Sequence, residues 1–271
     1  MRITDLSSEG SFFVLQRQCK TIPKAKLTYI FKGCKLVLKY KVYNEKRMTM
    51  AKGLFIIGTG TDIGKTYVTA LLVKCLRDGG YDAGYYKAAI SGADSVAESD
   101  AGYVNRVAHI GEKEDMLVSY LYKTAVSPHL ASRLEGNPVE KEKVLADYKR
   151  VCDAYPYVTV EGSGGIVCPI RYDGKKTYFL EDIVSWLGVP ALIVAPAGLG
   201  TINGVVTTAE YMERRHIKVQ GILLNHWKGG VMEEDNVKMI EDITGKPVLA
   251  RVKDGDTALD CEAGVLASLY E

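Results

Sequence analysis

The segment Gly58-Thr59-Gly60-Thr61-Asp62-Ile63-Gly64-Lys65-Thr66 constrains this chain more than any other. It follows Gly53-Leu54-Phe55-Ile56-Ile57, a short continuous apolar run of the kind that forms a strand buried on both faces. After it, Val68, Leu71, Leu72, Cys75 and Leu76 recur at the spacing of one helix face, and Gly79-Gly80 ends the pattern. A glycine-rich turn between a buried strand and an amphipathic helix can wrap phosphates in successive backbone N–H groups. The positive end of the helix adds to that field. On this reading Lys65 reaches the β- and γ-phosphates and the Thr66 hydroxyl ligates Mg²⁺. The bland alternative is a structural turn with an incidental lysine. From Gly58 to Gly64 the loop is one residue longer than the usual G-x4-G-K-[ST] spacing.

The strand–helix rhythm repeats down the chain. Further strands are predicted at Gly84–Ala88, Tyr157–Glu161, Ala191–Ala195, Val219–Asn225 and Val248–Val252. Helices are predicted at Asp100–His109, Val139–Ala154, Ile202–Arg214, Glu233–Thr244 and Leu259–Tyr270. Five or six buried strands separated by helices imply an α/β fold: a doubly wound, mainly parallel sheet with helices on both faces. Ligands of such sheets sit at the carboxyl ends of the strands. Residues 50–271 are expected to form a single domain.

Charge is divided unevenly. Residues 1–49 carry 11 Lys/Arg against 3 Asp/Glu, whereas the remainder carries 24 against 30. A basic arm on an acidic body suggests a nucleic-acid tail, a membrane tail or a targeting peptide. It has no apolar core before a small-residue cleavage site, so a secretory signal is not expected. The expectation is that residues 1–49 are a disordered basic extension or a start-site artefact, with Met48 or Met50 the native start. Six scattered cysteines, with no C-x-x-C pair, read as reduced thiols in a cytosol. No apolar stretch approaches the roughly 18 residues of a spanning helix. His109, His129, His216 and His226 gain no catalytic role from their spacing.

The long loop and several later segments together resemble dethiobiotin synthetase, a family of phosphate-binding-loop enzymes. The resemblance spans residues 52–271. It rests on the loop itself, on Lys87-Ala88-Ala89-Ile90-Ser91-Gly92, Ser99-Asp100-Ala101 and Ser127-Pro128-His129. It rests also on Val160-Glu161-Gly162-Ser163-Gly164-Gly165, Gly198-Leu199-Gly200-Thr201-Ile202-Asn203 and Asn225. This chain departs from the pattern at Gly60, where an acidic residue is frequent, at Gly198, where a lysine can occur, and at Ala88, where proline is frequent. The resemblance implies an ATP- and Mg²⁺-dependent ring closure that joins CO₂ to 7,8-diaminononanoate, giving dethiobiotin, ADP and phosphate. One amine captures CO₂ as a carbamate, the γ-phosphoryl group activates it as a mixed anhydride, and the second amine closes the ring. It further implies nucleotide contacts from Asp62, Ile63, Gly64, Lys65, Thr66, Tyr67, Asp100, Glu161, Gly162, Ser163, Gly164 and Asn225. Substrate contacts are implied from Thr61, Ser91, Gly200, Thr201, Ile202 and Asn203. The last four come from a second subunit, so a homodimer is implied, without nucleic-acid or membrane partners.

The residue chemistry is consistent with those roles. Phosphoryl transfer needs charge neutralisation and alignment more than covalent help. Lys87 closes a strand, so its ammonium can join Lys65 in one crevice and stabilise the carbamate; the alternative is a solvated strand-end lysine. Mg²⁺ takes hard oxygen ligands and few of them from protein, and Thr66, Asp100 and Glu161 offer a hydroxyl and two carboxylates. Asp100 equally suits a helix cap. The Asn225 amide carries a donor and an acceptor suited to an adenine edge. Two other classes stay open: a regulatory loop ATPase of the plasmid-partition and septum-placement type, which normally has a second lysine early in its loop, and a nucleic-acid-binding protein led by the basic arm.

Overall fold

A computed structural model describes residues 51–271 in full and, as backbone only, residues 14–18, 25–32 and 35–42. Within the basic extension, β1 (Val14–Gln18), β2 (Ala25–Lys32) and β3 (Lys35–Val42) form an antiparallel meander. The rest of residues 1–49, and with it the expected native start, lies outside the described residues.

The second unit, residues 50–271, alternates strand and helix as its hydrophobic periods require. The order is β4 (Lys52–Gly58), α1 (Lys65–Asp78), β5 (Ala83–Ser91), α2 (Asp100–Val107), α3 (Glu114–Leu117), β6 (Val118–Tyr122), α4 (Pro128–Leu134) and α5 (Lys141–Ala154). There follow β7 (Tyr157–Gly165), β8 (Pro169–Tyr172), β9 (Thr177–Phe179), α6 (Leu180–Leu187), β10 (Ala191–Pro196), α7 (Thr201–Arg214), β11 (Val219–Asn225), α8 (Val231–Thr244), β12 (Val248–Arg251) and α9 (Ala263–Ser268). Seven strands make one sheet in the order β12-β11-β10-β4-β7-β5-β6, every neighbouring pair parallel. β8 and β9 form a separate antiparallel ribbon.

Strand β4 shows why the sheet is covered on both faces. Leu54 and Ile56 enter one core with α1, α2 and α9, whereas Phe55 and Ile57 enter the other with α5, α6, α7 and α8. Alternation along an extended chain sends successive side chains to opposite faces, so a continuous apolar run must be buried twice. The doubly wound architecture expected from the sequence is therefore present.

Elements α3, α4, β8 and β9 were not expected from the sequence, and three more differ from expectation. The sheet gains β6 at its edge, whose alternating residues bury only Val118, Tyr120 and Tyr122. Helix α6 was not expected; Leu180, Ile183 and Val184 bury one face of it over only eight residues. Helix α9 is shorter than Leu259–Tyr270, because Leu259 and Tyr270 reach the core from irregular backbone on either side of it.

Candidate nucleotide and ligase site

The phosphate loop leaves β4 at Gly58 and enters α1 at Lys65. A Cβ on Gly58 would meet the Gly60 carbonyl and the Ile63 side chain at 2.9 Å, so only glycine fits there. Gly64 is left-handed (φ 78°) and caps α1 with no side-chain hydrogen bond, leaving the first N–H groups of the helix free. A Cβ at Gly64 would collide with Asn225 Nδ2, at 2.1 Å. That amide nitrogen donates to the Ile63 carbonyl at 2.9 Å and braces the loop from β11. Asn225 Oδ1 is buried and has no partner among the described residues.

An open cleft of ≈ 720 Å³ lies over the loop at the carboxyl ends of β4, β5 and β7. Of the residues expected to serve the site, Thr61, Asp62, Gly64, Lys65, Thr66, Lys87, Ser91, Asp100, Ser163 and Gly164 line it. Its shape owes much to β7. Between Ile56 and Gly58 of β4, β7 advances from Glu161 to Gly165, so Gly162, Ser163 and Gly164 bulge beside the loop. Ser163 Oγ donates to the Ala89 carbonyl at 2.7 Å, and Ser91 Oγ to the Val126 carbonyl at 2.6 Å.

Beneath the cleft the charged groups form one circuit. Lys87 Nζ donates to Asp100 Oδ2 at 2.5 Å and to Glu161 Oε1 at 2.8 Å. Thr66 Oγ1 donates to the same Glu161 oxygen at 2.8 Å, and Tyr85 donates to Glu161 Oε2 at 3.0 Å. Glu161 is 1 % exposed and Lys87 3 %, which overturns the solvated reading of Lys87. Burial opposes charge on Lys87, but Glu161 and then Asp100 outweigh it and hold its pKa above the usual lysine range. Burial likewise opposes ionisation of Asp100, and Lys87 outweighs it and keeps that carboxyl below the usual range. Ser99 is the N-cap of α2 and Asp100 its first residue, so Asp100 is not the cap.

Lys65 is different. It is 9 % exposed, and its ammonium makes no hydrogen bond or ion pair among the described residues. Burial, and then the neighbouring Lys87 charge, push its pKa down. The loop thus holds a largely buried cation, only partly offset by the nearby Glu161 and Asp100 charges, where anionic phosphates would enter.

Asp100 and Glu161 meet at Lys87 Nζ and Thr66 Oγ1 bonds the same Glu161 oxygen, so the donor set fits Mg²⁺, which takes one or two carboxylates and fills its shell with water and phosphate. No group of three or more His, Cys, Asp and Glu among the described residues builds a complete metal cage.

Several expected residues sit apart from the cleft. Ile63 packs over Gly58, and the Tyr67 hydroxyl donates to the Asp256 carbonyl on the loop after β12. Gly200, Thr201, Ile202 and Asn203 open α7 away from the cleft; Thr201 Oγ1 is buried without a partner, and Leu199 beside them is 94 % exposed. Sequence reasoning missed Tyr85 and Cys168. Tyr85 shares the Lys87 face of β5, a period-2 signal that was available; Cys168 lines the cleft after the β7 bulge, which nothing local announces. Burial pushes the Cys168 thiol up to about 11.

Comparison with known proteins agrees with this geometry. A family model described as an AAA domain matches residues 52–257. The ATP-dependent dethiobiotin synthetase BioD of Brachyspira hyodysenteriae is 50 % identical over 212 residues, covering 78 % of this chain and 96 % of that protein. The enzyme of the same name from Clostridium botulinum strain Eklund 17B is 47 % identical over 204 residues, 73 % of this chain and 89 % of that one. Among solved structures, the MinC:MinD cell division protein complex of Aquifex aeolicus aligns with TM-score 0.48 at 16 % identity, covering 75 % of this chain and 82 % of that one. No helix of the described residues is long and apolar enough to cross a membrane. The loop, the lysine–carboxylate circuit and the strand-end cleft all lie within residues 52–257, and relatives at 47–50 % identity cover about three quarters of the chain, so the chain belongs to the ATP-dependent dethiobiotin synthetase family.

Proposed function

We propose that this enzyme closes the cyclic urea of dethiobiotin from 7,8-diaminononanoate, CO₂ and ATP, within residues 50–271. The observation that carries the reading is the pair of buried ammonium groups, one satisfied and one not, facing a single cleft. Lys65, together with the free N–H groups at the start of α1, neutralises the β- and γ-phosphates of ATP. Lys87, held charged by Asp100 and Glu161, stabilises the carbamate anion as its oxygen meets the γ-phosphorus. Thr66, Asp100 and Glu161 would hold Mg²⁺, which would supply charge neutralisation at the phosphates. Thr61 and Ser91 orient the diamine and its carbamate in the cleft, and the Gly162–Gly164 bulge closes the wall between nucleotide and substrate. The second amine then attacks the carbamoyl carbon and phosphate departs.

The start of α7 serves the site of a second copy in a homodimer. The exposed Leu199, the half-exposed Val167 and the orphaned Thr201 hydroxyl support a surface completed by another subunit. The cytoplasm, where the nucleotide is abundant and thiols stay reduced, is the proposed compartment.

The test is phosphate release from ATP, Mg²⁺ and bicarbonate, with and without the diamine. Release is expected only with the diamine, at equal rates for the full chain and for a protein beginning at Met50. Diamine-independent turnover, stimulated instead by DNA or lipid, would favour the regulatory ATPase.

A further inference from the structure

The phosphate loop sits over β4, with Lys87 two strands to one side and the end of β11 two strands to the other. A triphosphate is an extended chain. If its γ end faces Lys87, its nucleoside end must leave toward β11, the start of α1 and the loop after β12. At that corner His226 follows Asn225 directly and takes a left-handed conformation, φ 57°, uncommon for a residue with a side chain. The turn brings its ring back over the loop, with Nε2 3.6 Å from where a Gly64 Cβ would lie. The other ring nitrogen is taken: Nδ1 is 2.6 Å from Asp254 Oδ1.

A carboxylate only accepts hydrogen bonds, so Nδ1 carries the hydrogen and donates it to Asp254. In the neutral ring Nε2 is then left as an acceptor. Asn225 donates one of its two Nδ2 hydrogens to the Ile63 carbonyl, and its Oδ1 has no partner among the described residues. His226 spends its one donor on Asp254 and keeps an acceptor, on a side chain 43 % exposed, for the ligand. An amino group on the base edge satisfies such acceptors, whereas a carbonyl oxygen meets like with like, and a site that leaves polar groups unpaired rejects the analogue.

We propose that His226, its tautomer fixed by Asp254, is a specificity-determining residue that selects a nucleotide bearing an amino group at purine C6 over a 6-oxopurine. The inference rests on the nucleotide reading of the loop. It is tested by equilibrium competition of ATP and inosine triphosphate for the Mg²⁺-loaded full chain at mildly alkaline pH. Wild type should prefer ATP, and His226→Ala should lose about three- to tenfold of that preference through weaker ATP binding alone, the worth of one hydrogen bond. Asp254→Ala, which frees the tautomer but keeps the ring, should lose part of it. An unchanged ATP-to-ITP ratio in His226→Ala, or equal weakening of both nucleotides, overturns the assignment and leaves the loop reading intact. Failure of wild type to bind either nucleotide overturns both.

Discussion

The two flanks of the phosphate loop are built on opposite plans. Toward β5, every charged group has a partner within the chain: Lys87 with Asp100 and Glu161, and Glu161 with Thr66 and Tyr85 as well. On the loop itself and toward β11 and α7, polar groups lack hydrogen-bond partners among the described residues: the Lys65 ammonium at the cleft, and the buried Asn225 Oδ1 and Thr201 Oγ1. The difference separates what is pre-organised within the chain from what is left open to a ligand. A buried charge needs an opposite charge or it destabilises the fold. The closed circuit therefore maintains itself, while the open groups are tolerated for what will later occupy them.

The largest effect that sharpens this contrast is on turnover. Lys65→Ala and Lys87→Ala should each lower diamine-dependent phosphate release by about 10²–10³-fold or more, the loss seen when one preorganised donor to developing charge is removed. A variant retaining near-normal rates in that assay would remove its lysine from the reaction.

Stability should separate the same two residues. Lys87→Ala strands the buried Glu161 carboxylate and should cost about 3–5 kcal/mol in urea unfolding. Lys87→Met combined with Glu161→Gln should recover most of that loss without recovering activity. Lys65→Met should be at least as stable as wild type at neutral pH, because the fold lowers the Lys65 pKa and so disfavours its charged form. Equal losses from Lys65 and Lys87 substitutions would break the description of one closed and one open flank.

Next comes the exposed end of the open flank. On the proposed dimer, Leu199→Glu, at a side chain 94 % exposed in the single chain, should shift sedimentation equilibrium toward monomer and depress turnover in parallel. A variant that stays dimeric with full activity would place the partner surface elsewhere.

The smallest effect is a proton. Because the Lys65 pKa is lowered in the free protein, part of its population is neutral at alkaline pH. Bound triphosphate favours the ammonium and raises that pKa. Nucleotide binding should therefore take up as much as one proton between the lowered value and the ordinary lysine range of about 10.4, read as a buffer-dependent binding enthalpy. No uptake in that window would mean that Lys65 does not meet the phosphates.

Much of the fold was legible because two periods write themselves into sequence. The apolar runs before Gly58 and at Ala191–Ala195, and the helical stripe from Val68 to Leu76, each state a geometry within a few residues. The short β6 and α6 were not legible, since five and eight residues carry too little pattern to outvote a loop. Lys65 and Thr66 could be read from local order, as they stand at fixed offsets in the loop. The pairing of Lys87 with Asp100 could not, because alternatives such as a solvated lysine and a helix cap fit the same letters. His226 had no local signal; its bond to Asp254 joins two loops 28 residues apart.

By itself the sequence determined the phosphate loop, the alternation of strand and helix and the family, because these depend on residue types at short, fixed spacings. Only the tertiary structure decided which carboxylates meet Lys87, which lysine is only partly offset, and which acceptors face the nucleoside corner. Those properties are sums of burial and charge over strands brought together from distant parts of the chain, and no local spacing encodes them.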